Sequence, residues 1–374
     1  MEKVLNIVSY PYLPYYSGGQ KLIAQFNQYL GEQCILHVAG TTNNDAALAR
    51  NYSFHPLLHK SKLRYADLSS FFRLKKLIRD QQIETVIIEH PYAGWLGWML
   101  KKACKIKLIV HTHNIEYERF RTVGKSWWPV LKFYERWVLK KADVIFCISD
   151  EDRNWMIEKM GIASQKCILV PYGINQQQNP TDKKESKTLV CARHGFDINH
   201  RLLFFNGLLD YKPNLDALKI IIGQINPLLL KSSLQYNILI TGKRLPAEMD
   251  ELKAWNEQHI FYAGFVDDID LYFKAADLFL NPVQSGGGVK TKMIESIALG
   301  TTVISTVSGA AGIDKSLCGD KLLTVADNDW SNFVKVIVEK SDTASLTQDA
   351  YYETYYWGNI IKKILTVLPH YFYN

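Results

Sequence analysis

The chain has 374 residues, 47% hydrophobic and 22% charged, with a formal net charge of +7. This is globular composition in a chain too long for one ordinary core, so disorder is excluded and two α/β domains are expected. The mild positive charge does not call for nucleic acid; it suits phosphate-bearing ligands or an anionic membrane surface.

The six cysteines, at 34, 104, 147, 167, 191 and 318, form no C-x-x-C pair, and Cys34, Cys147 and Cys167 stand in apolar runs. Reduced core thiols of a cytoplasmic protein are expected, rather than a disulfide frame or a zinc site. The start, Met1-Glu2-Lys3 and then Val-Leu-Asn-Ile-Val-Ser, is too short and polar for a secretory signal and reads as a first strand. No run of about 18 uncharged apolar residues exists to span a bilayer.

In chain order, strands are expected at 4–9, 34–39, 85–89, 107–111 and 144–148, then at 202–206, 236–241, 259–262, 278–281 and 302–305. These runs are apolar without polar alternation, as in parallel strands buried on both faces, and segments of helical period separate them. Two doubly wound, Rossmann-like sheets follow from that alternation. The polar stretch 174–187 reads as the linker between them. Ligands of such sheets bind at the carboxyl ends of the strands, so a cleft there is the expected site.

The first strand ends in Tyr10-Pro-Tyr-Leu-Pro-Tyr-Tyr-Ser-Gly-Gly-Gln20, which contains Gly18 and Gly19 and precedes a helix. A glycine pair there is found in many Rossmann-like folds. The fourth expected strand ends in Val110-His-Thr-His-Asn-Ile-Glu-Tyr117. His111 and His113 could ligate a metal, although no further His or Cys lies nearby in sequence; His113 could equally be structural or meet a substrate. Residues 119–141 carry seven basic side chains among Phe120, Trp127, Trp128, Phe133, Tyr134 and Trp137, opposed only by Glu135. Such a helix suits an anionic bilayer surface, or is an amphipathic helix with a solvated charged face. No nucleic-acid module accompanies the charge.

The segment Asn281-Pro-Val-Gln-Ser-Gly-Gly-Gly-Val-Lys-Thr-Lys-Met-Ile-Glu-Ser-Ile-Ala-Leu-Gly300 carries the most chemistry. A strand ends at Pro282 and a helix is expected from about Val289, with Met293, Ile294, Ile297 and Ala298 on its apolar side. Free N–H groups at a helix start attract anionic oxygens, and glycines let a ligand approach the backbone. Lys290 and Lys292 add charge where a diphosphate would lie.

This segment resembles the donor domain of GT-B glycosyltransferases, specifically the retaining family four, "glycosyl transferases group 1". Glu295 followed by Ser-Ile-Ala-Leu-Gly-Thr-Thr-Val-Ile matches the family's ribose-binding Glu and the Gly-x-x-Val-Ile after it. The family often has a second Glu where this chain has Gly287, and an Arg where it has Leu208; the Gly-Gly-Gly-Val-Lys-Thr-Lys form is similar to one subgroup. Phe205 to Asn214, Ile240-Thr-Gly-Lys-Arg244 and Phe261 to Asp268 fall in the family's order. The resemblance implies a GT-B fold with an N-terminal acceptor domain (1–175), a C-terminal donor domain (176–350) and a terminal helical segment (351–374) packing back on the first domain. It assigns Gly18, Gly19, Lys212, Gly242, Ser285, Gly286, Gly287, Gly288, Val289, Lys290, Thr291 and Lys292 to the donor diphosphate region. Phe265 and Val266 fall to the base, Glu295 to the ribose and His113 to the donor sugar.

It further implies retaining transfer from a nucleotide diphosphate sugar to a glycan or lipid-linked acceptor, in cell-surface polysaccharide or glycolipid synthesis. No cofactor or metal is expected. The protein would be cytoplasmic, peripheral on the inner face of the membrane. An epimerase or a non-catalytic nucleotide-sugar-binding subunit are the rivals, and a dehydrogenase would need a G-x-G-x-x-G that is absent.

Overall fold

The computed structural model describes residues 2–340 and 345–373; positions 1, 341–344 and 374 of the expected domains lie outside the described residues. Thirteen strands are described: β1 (Lys3–Val8), β2 (Ile35–Thr41), β3 (Ser53–Leu58), β4 (Thr85–Glu89), β5 (Lys107–Thr112), β6 (Val144–Cys147), β7 (Cys167–Leu169), β8 (Arg201–Asn206), β9 (Tyr236–Thr241), β10 (Ile260–Tyr262), β11 (Leu278–Asn281), β12 (Thr302–Thr306) and β13 (Leu322–Val325). The helices used below are α1 (Gly18–Gly31), α2 (Leu68–Gln81), α3 (Gly94–Cys104), α4 (Glu116–Thr122), α5 (Trp128–Lys141), α6 (Asp150–Met160), α7 (Lys183–His194), α8 (Lys212–Ile220), α9 (Thr291–Ala298) and α10 (Trp357–Tyr373).

The chain divides into two compact units. The first holds residues 2–175 with 287–289 and 355–373; the second holds the described residues of 176–286 and 290–354. The first sheet has the order β3-β2-β1-β4-β5-β6-β7 and the second β10-β9-β8-β11-β12-β13. Their pairings are parallel throughout.

Apolar runs become central strands because both faces are covered. Leu5, Ile7, Val86 and Ile88 are buried against Leu74 of α2 and Leu96 and Leu100 of α3. In the second unit Leu203, Phe205, Ile238, Ile240, Leu278 and Leu280 share a core with Ile225, Phe333 and Ile337. Each such side chain contributes roughly 1.5–3 kcal/mol of burial. Local signals fix the helix ends: Ser17 and Asp67 cap α1 and α2 through their side-chain oxygens, and Gly161 at φ 64° closes α6.

Two expectations need correction. The polar stretch 174–187 is not wholly a linker, since α7 begins at Lys183. Its buried stripe is Ser186, Val190 and Cys191, mostly beyond the stretch that read as polar, and Lys187 pairs with Asp277 at 2.8 Å. The helix expected from Val289 begins at Thr291.

Residues 355–357 run beside 173–175. The Ile174 N–H donates to the Tyr355 carbonyl (2.7 Å), and the Trp357 N–H donates to the Ile174 carbonyl (3.0 Å). Trp357 is fully buried, and its indole N–H donates to Gln25 Oε1 at 3.0 Å. A methyl group on Gly173 would lie 2.2 Å from that indole, so close approach is what requires glycine here. Trp357→Ala should cost about 3–5 kcal/mol, as for a large aromatic removed from a core. Urea unfolding monitored by circular dichroism measures it, and a loss below about 1 kcal/mol would contradict this packing role.

Candidate functional site

Each sheet has one place where neighbouring strands lead off in opposite directions. In the first unit it lies between β1 and β4, in the second between β8 and β11. Crevices at the carboxyl ends of such strand pairs are where open α/β sheets take ligands.

In the first unit the β4 end is Glu89-His90-Pro91. Glu89 stands opposite His111 in the β4–β5 register and is completely buried. Its carboxylate accepts from Asn6 Nδ2 at 2.7 Å, His111 Nδ1 at 3.1 Å and His113 Nε2 at 2.6 Å. Burial pushes this carboxyl up, but the charge and hydrogen bonds of His111 and the hydrogen bond of His113 outweigh that and hold it well below the usual range. Burial, helped by neighbouring His90, pulls the His113 imidazole down to about 3, so the ring is neutral at physiological pH. Its other nitrogen, Nδ1, is buried without a hydrogen-bond partner.

His90 has φ 61° and ψ 159°, a conformation rarely open to a residue with a side chain. Its ring is held on both sides, by Glu116 Oε1 at 2.9 Å from Nδ1 and by the Tyr10 hydroxyl at 2.9 Å from Nε2. It lies 4.1 Å from the His113 ring, centroid to centroid. Glu116 also accepts from the Tyr92 hydroxyl and from Arg119 Nε (2.9 Å). Glu135 of α5 fixes the start of α4 by accepting the N–H groups of Glu116 and Tyr117, both at 3.0 Å.

Sequence proximity therefore missed most of this cluster. His113 is not isolated from other ionisable groups: Glu89, His90 and His111 surround it. Glu89, His111 and His113 bring three potential metal-ligating atoms within 4.8 Å of one another, a spacing the hydrogen bonds above already account for. Gly18 and Gly19 open α1 beside the same crevice. A methyl group at Gly19 would meet only the Tyr10 hydroxyl, 4.0 Å away, so the protein itself does not demand glycine there.

In the second unit Lys292 of α9 reaches the β8 end, where its ammonium donates to the Asn206 carbonyl at 2.6 Å. Gly207 leaves room for it, since a methyl group there would lie 3.1 Å from Nζ. Gly242, at φ 139°, comes so close to Gly207 that a methyl group would meet its carbonyl at 1.7 Å. Burial pulls the Lys292 ammonium down to about 8 against the opposing pull of nearby Glu295. The N-terminus of α9 has no side-chain cap, and within its first turn the Met293 N–H donates to the Lys290 carbonyl at 2.9 Å. Glu295 is half-buried on the same helix.

The remaining expected residues are distributed as follows. Lys290 donates to the Gly286 carbonyl at 2.8 Å, and Ser285 and Gly287 are exposed in the glycine loop. Gly287, Gly288 and Val289 group with the first unit, whereas Gly286, Lys290 and Thr291 group with the second. Lys212 is exposed and pairs with Asp216 at 2.6 Å, one turn along α8. Phe265 is half exposed, with the Lys243 ammonium 3.9 Å from its ring centroid; Val266 follows it in the same loop. A cavity of about 550 Å³ opens at the carboxyl ends of β2 and β3, lined by Thr42, Leu57, Leu58, Leu63, Asp67 and Arg73 among others.

The sequence matches the profile of Glycosyltransferase Family 4 over residues 16–178 and that of Glycosyl transferases group 1 over residues 200–341. It is 24% identical over 308 residues to the Escherichia coli UDP-Gal:alpha-D-GlcNAc-diphosphoundecaprenol alpha-1,3-galactosyltransferase, covering 77% of this chain and 74% of that protein. Among solved structures it is similar to a Rickettsia africae glycosyltransferase (TM-score 0.76, 15% identity, 100% and 99% of the two chains). It is also similar to Anabaena HepE in complex with UDP (TM-score 0.72, 12% identity, 99% and 100%). Both halves match in order and the two-sheet fold is shared: the chain belongs to the family-four, group 1 glycosyltransferases and is an enzyme of the GT-B fold.

Proposed function

We propose that this glycosyltransferase moves a sugar, with retention of its anomeric configuration, from a nucleotide diphosphate sugar to a glycan or lipid-linked acceptor in cell-surface polysaccharide or glycolipid synthesis. The observation that carries the donor assignment is Lys292, a shielded cation at the β8 end beside the uncapped start of α9. A diphosphate leaving group needs positive charge and N–H donors already in place where its own charge develops. Lys292 supplies the first and α9 the second. Leu208 stands where the family has an Arg, and Lys212 is engaged with Asp216, so Lys292 is the better candidate for the diphosphate cation. Glu295 then takes the ribose hydroxyls, Phe265 and Val266 flank the base, and His113 serves the donor sugar. The acceptor named for the Escherichia coli relative is a diphosphoundecaprenol-linked sugar, which supports a lipid-linked acceptor here. The cavity above β2 and β3, with its Leu57, Leu58 and Leu63 wall, is a suitable place for part of it.

Two substitutions separate these roles. Glu295→Ala should weaken nucleoside diphosphate binding by roughly 1–3 kcal/mol, as for a lost charged hydrogen bond. His113→Ala should lower turnover with little change in that affinity. Calorimetry with a panel of nucleoside diphosphates, alongside turnover of their sugars, decides it; unchanged affinity in a folded Glu295→Ala would refute the ribose role.

Lys292 makes donor affinity depend on pH. A bound diphosphate favours the charged ammonium, so affinity should hold below about pH 8 and fall above it, where free Lys292 loses its proton. A terminal phosphate with its second pKa near 6 is already ionised there and adds no slope of its own. Lys292→Gln should bind weakly throughout and show a flat profile between pH 7 and 9.5.

We also place the protein at the inner, cytoplasmic face of the cell membrane. No described helix is long and apolar enough to cross a bilayer. Leu63, Leu68 and Phe72 near α2, and Trp127, Val130 and Phe133 at α5, are 47–72% exposed. Both patches are tied to Trp95, which donates to the Tyr65 carbonyl (2.9 Å) and to the Tyr134 hydroxyl (3.1 Å). Exposed Lys62, Lys125 and Lys140 add positive charge. Trp128 and Trp137 are half-buried, and Arg136 donates to the Met160 carbonyl, so not every side chain in 119–141 serves this face. Val130→Ser with Phe133→Ser should reduce co-sedimentation with anionic vesicles while leaving nucleotide affinity intact, and added salt should weaken binding by the unaltered chain. Equal binding to neutral and anionic vesicles would overturn the electrostatic part.

A further inference from the structure

We propose that Glu89 is a positioning residue for His113: it fixes the ring tautomer in which Nε2 carries the hydrogen, so that Nδ1 meets the substrate as an acceptor. This rests on the role given to His113 above and specifies what that imidazole can recognise.

The argument starts from the carboxylate. An ionised carboxylate only accepts, so every atom bonded to it must bring a hydrogen. His113 Nε2 lies 2.6 Å from Glu89 Oε2 and therefore carries one. A neutral imidazole has a single N–H, and His113 has placed it on Glu89; Nδ1 is left with its lone pair. That nitrogen is buried and has no acceptor or donor beside it in the protein. Glu89 cannot swing away to release the ring, because Asn6 and His111 hold it as well, at 2.7 and 3.1 Å. The ionisable groups facing His113 are Glu89 on β4, His90 after it and His111 on β5; behind His90 stand Tyr10, Glu116 and Arg119. A carboxylate that orients an imidazole in this way governs which partner the far nitrogen accepts.

The consequence is chemical. A bare ring nitrogen attracts a hydroxyl hydrogen and repels a phosphate oxygen. The substrate group at His113 is then a sugar hydroxyl that donates, and the diphosphate lies elsewhere.

The test uses the full chain, labelled with ¹⁵N in its histidine rings, without substrate. The His113 signals, identified by their loss in His113→Ala, should show protonated Nε2 and bare Nδ1 from pH 6 to 8. Glu89→Gln offers the ring either a carbonyl oxygen or an amide N–H, so it should mix or reverse the tautomer; Glu89→Asp should preserve it. In turnover, Glu89→Gln should lose at least about tenfold in kcat, the direction expected when an imidazole is misoriented, with nucleoside diphosphate affinity unchanged. Glu89→Asp should recover part of that loss. A protonated Nδ1 in the unaltered protein, or titration of His113 within that range, would overturn the proposal, as would full kcat in a folded Glu89→Gln. If Glu89→Gln does not fold, the spectrum of the unaltered protein and of Glu89→Asp still decides. A correct tautomer with no turnover of any nucleotide diphosphate sugar would instead count against the proposed function.

Discussion

A carboxylate taken wholly out of water must find hydrogen donors, and Glu89 at the end of β4 imposes that demand on everything around it. Asn6 from β1 and His111 and His113 from β5 and its following turn answer it. Removing any one of the three would leave an anion under-satisfied in a core where screening by water is absent. Parallel register makes the arrangement possible: β1 and β5 both neighbour β4, and their carboxyl ends arrive at the same level of the sheet. The local strain at His90 fits this picture. The chain leaves β4 in an unfavourable conformation, and the ring is clamped between Tyr10 and Glu116. Strain of this kind persists only where surrounding contacts over-determine it.

The second unit poses the opposite problem. Lys292 is a cation drawn into a crevice where its protein partners are the Asn206 carbonyl and the field of Glu295. Its ammonium is less comfortable charged than in water, which is the state a phosphate-bearing ligand relieves. Three glycines shape the place. Gly207 leaves space for the ammonium, Gly242 lets two loops approach, and Gly286 at φ 88° turns the chain toward α9. Helix, cation and these three glycines all belong to the second unit.

How much of this the sequence displayed follows from where each residue lies. Central strands announced themselves because burial on both faces leaves unbroken apolar runs. The strands that were not expected, β3, β7 and β13, are all sheet edges. β3 buries only its last residue, Leu58, and contains His55 and Pro56, while β7 is only three residues long. His113, Glu295 and the glycine loop could be singled out as candidates because a strand end, a turn and a helix start are contiguous in sequence. Glu89 and Glu116 were not, since they meet their histidines across 22 to 26 residues of chain, once the strand ends are laid side by side. One signal was present: Thr85-Val-Ile-Ile-Glu89 ends an otherwise apolar strand on a carboxylate, followed at once by His-Pro. A charge at the carboxyl end of a doubly buried strand points toward a site.

The two departures from the family pattern can be weighed in the same terms. Leu208 removes a guanidinium from the loop after β8, and its carbonyl instead accepts from Asn214 Nδ2 at 2.9 Å, which tightens that loop. Lys292 brings positive charge to the same strand end from a helix. A helix-borne cation loses less freedom on binding an anion than one on a mobile loop, so part of the ordering cost is met in folding rather than at each turnover. Gly287 leaves the glycine loop without the carboxylate that the family often carries there. On the proposed reading, a loop without that carboxylate sets no fixed negative charge of its own beside an anionic leaving group, and this is the electrostatic condition a diphosphate needs as it departs.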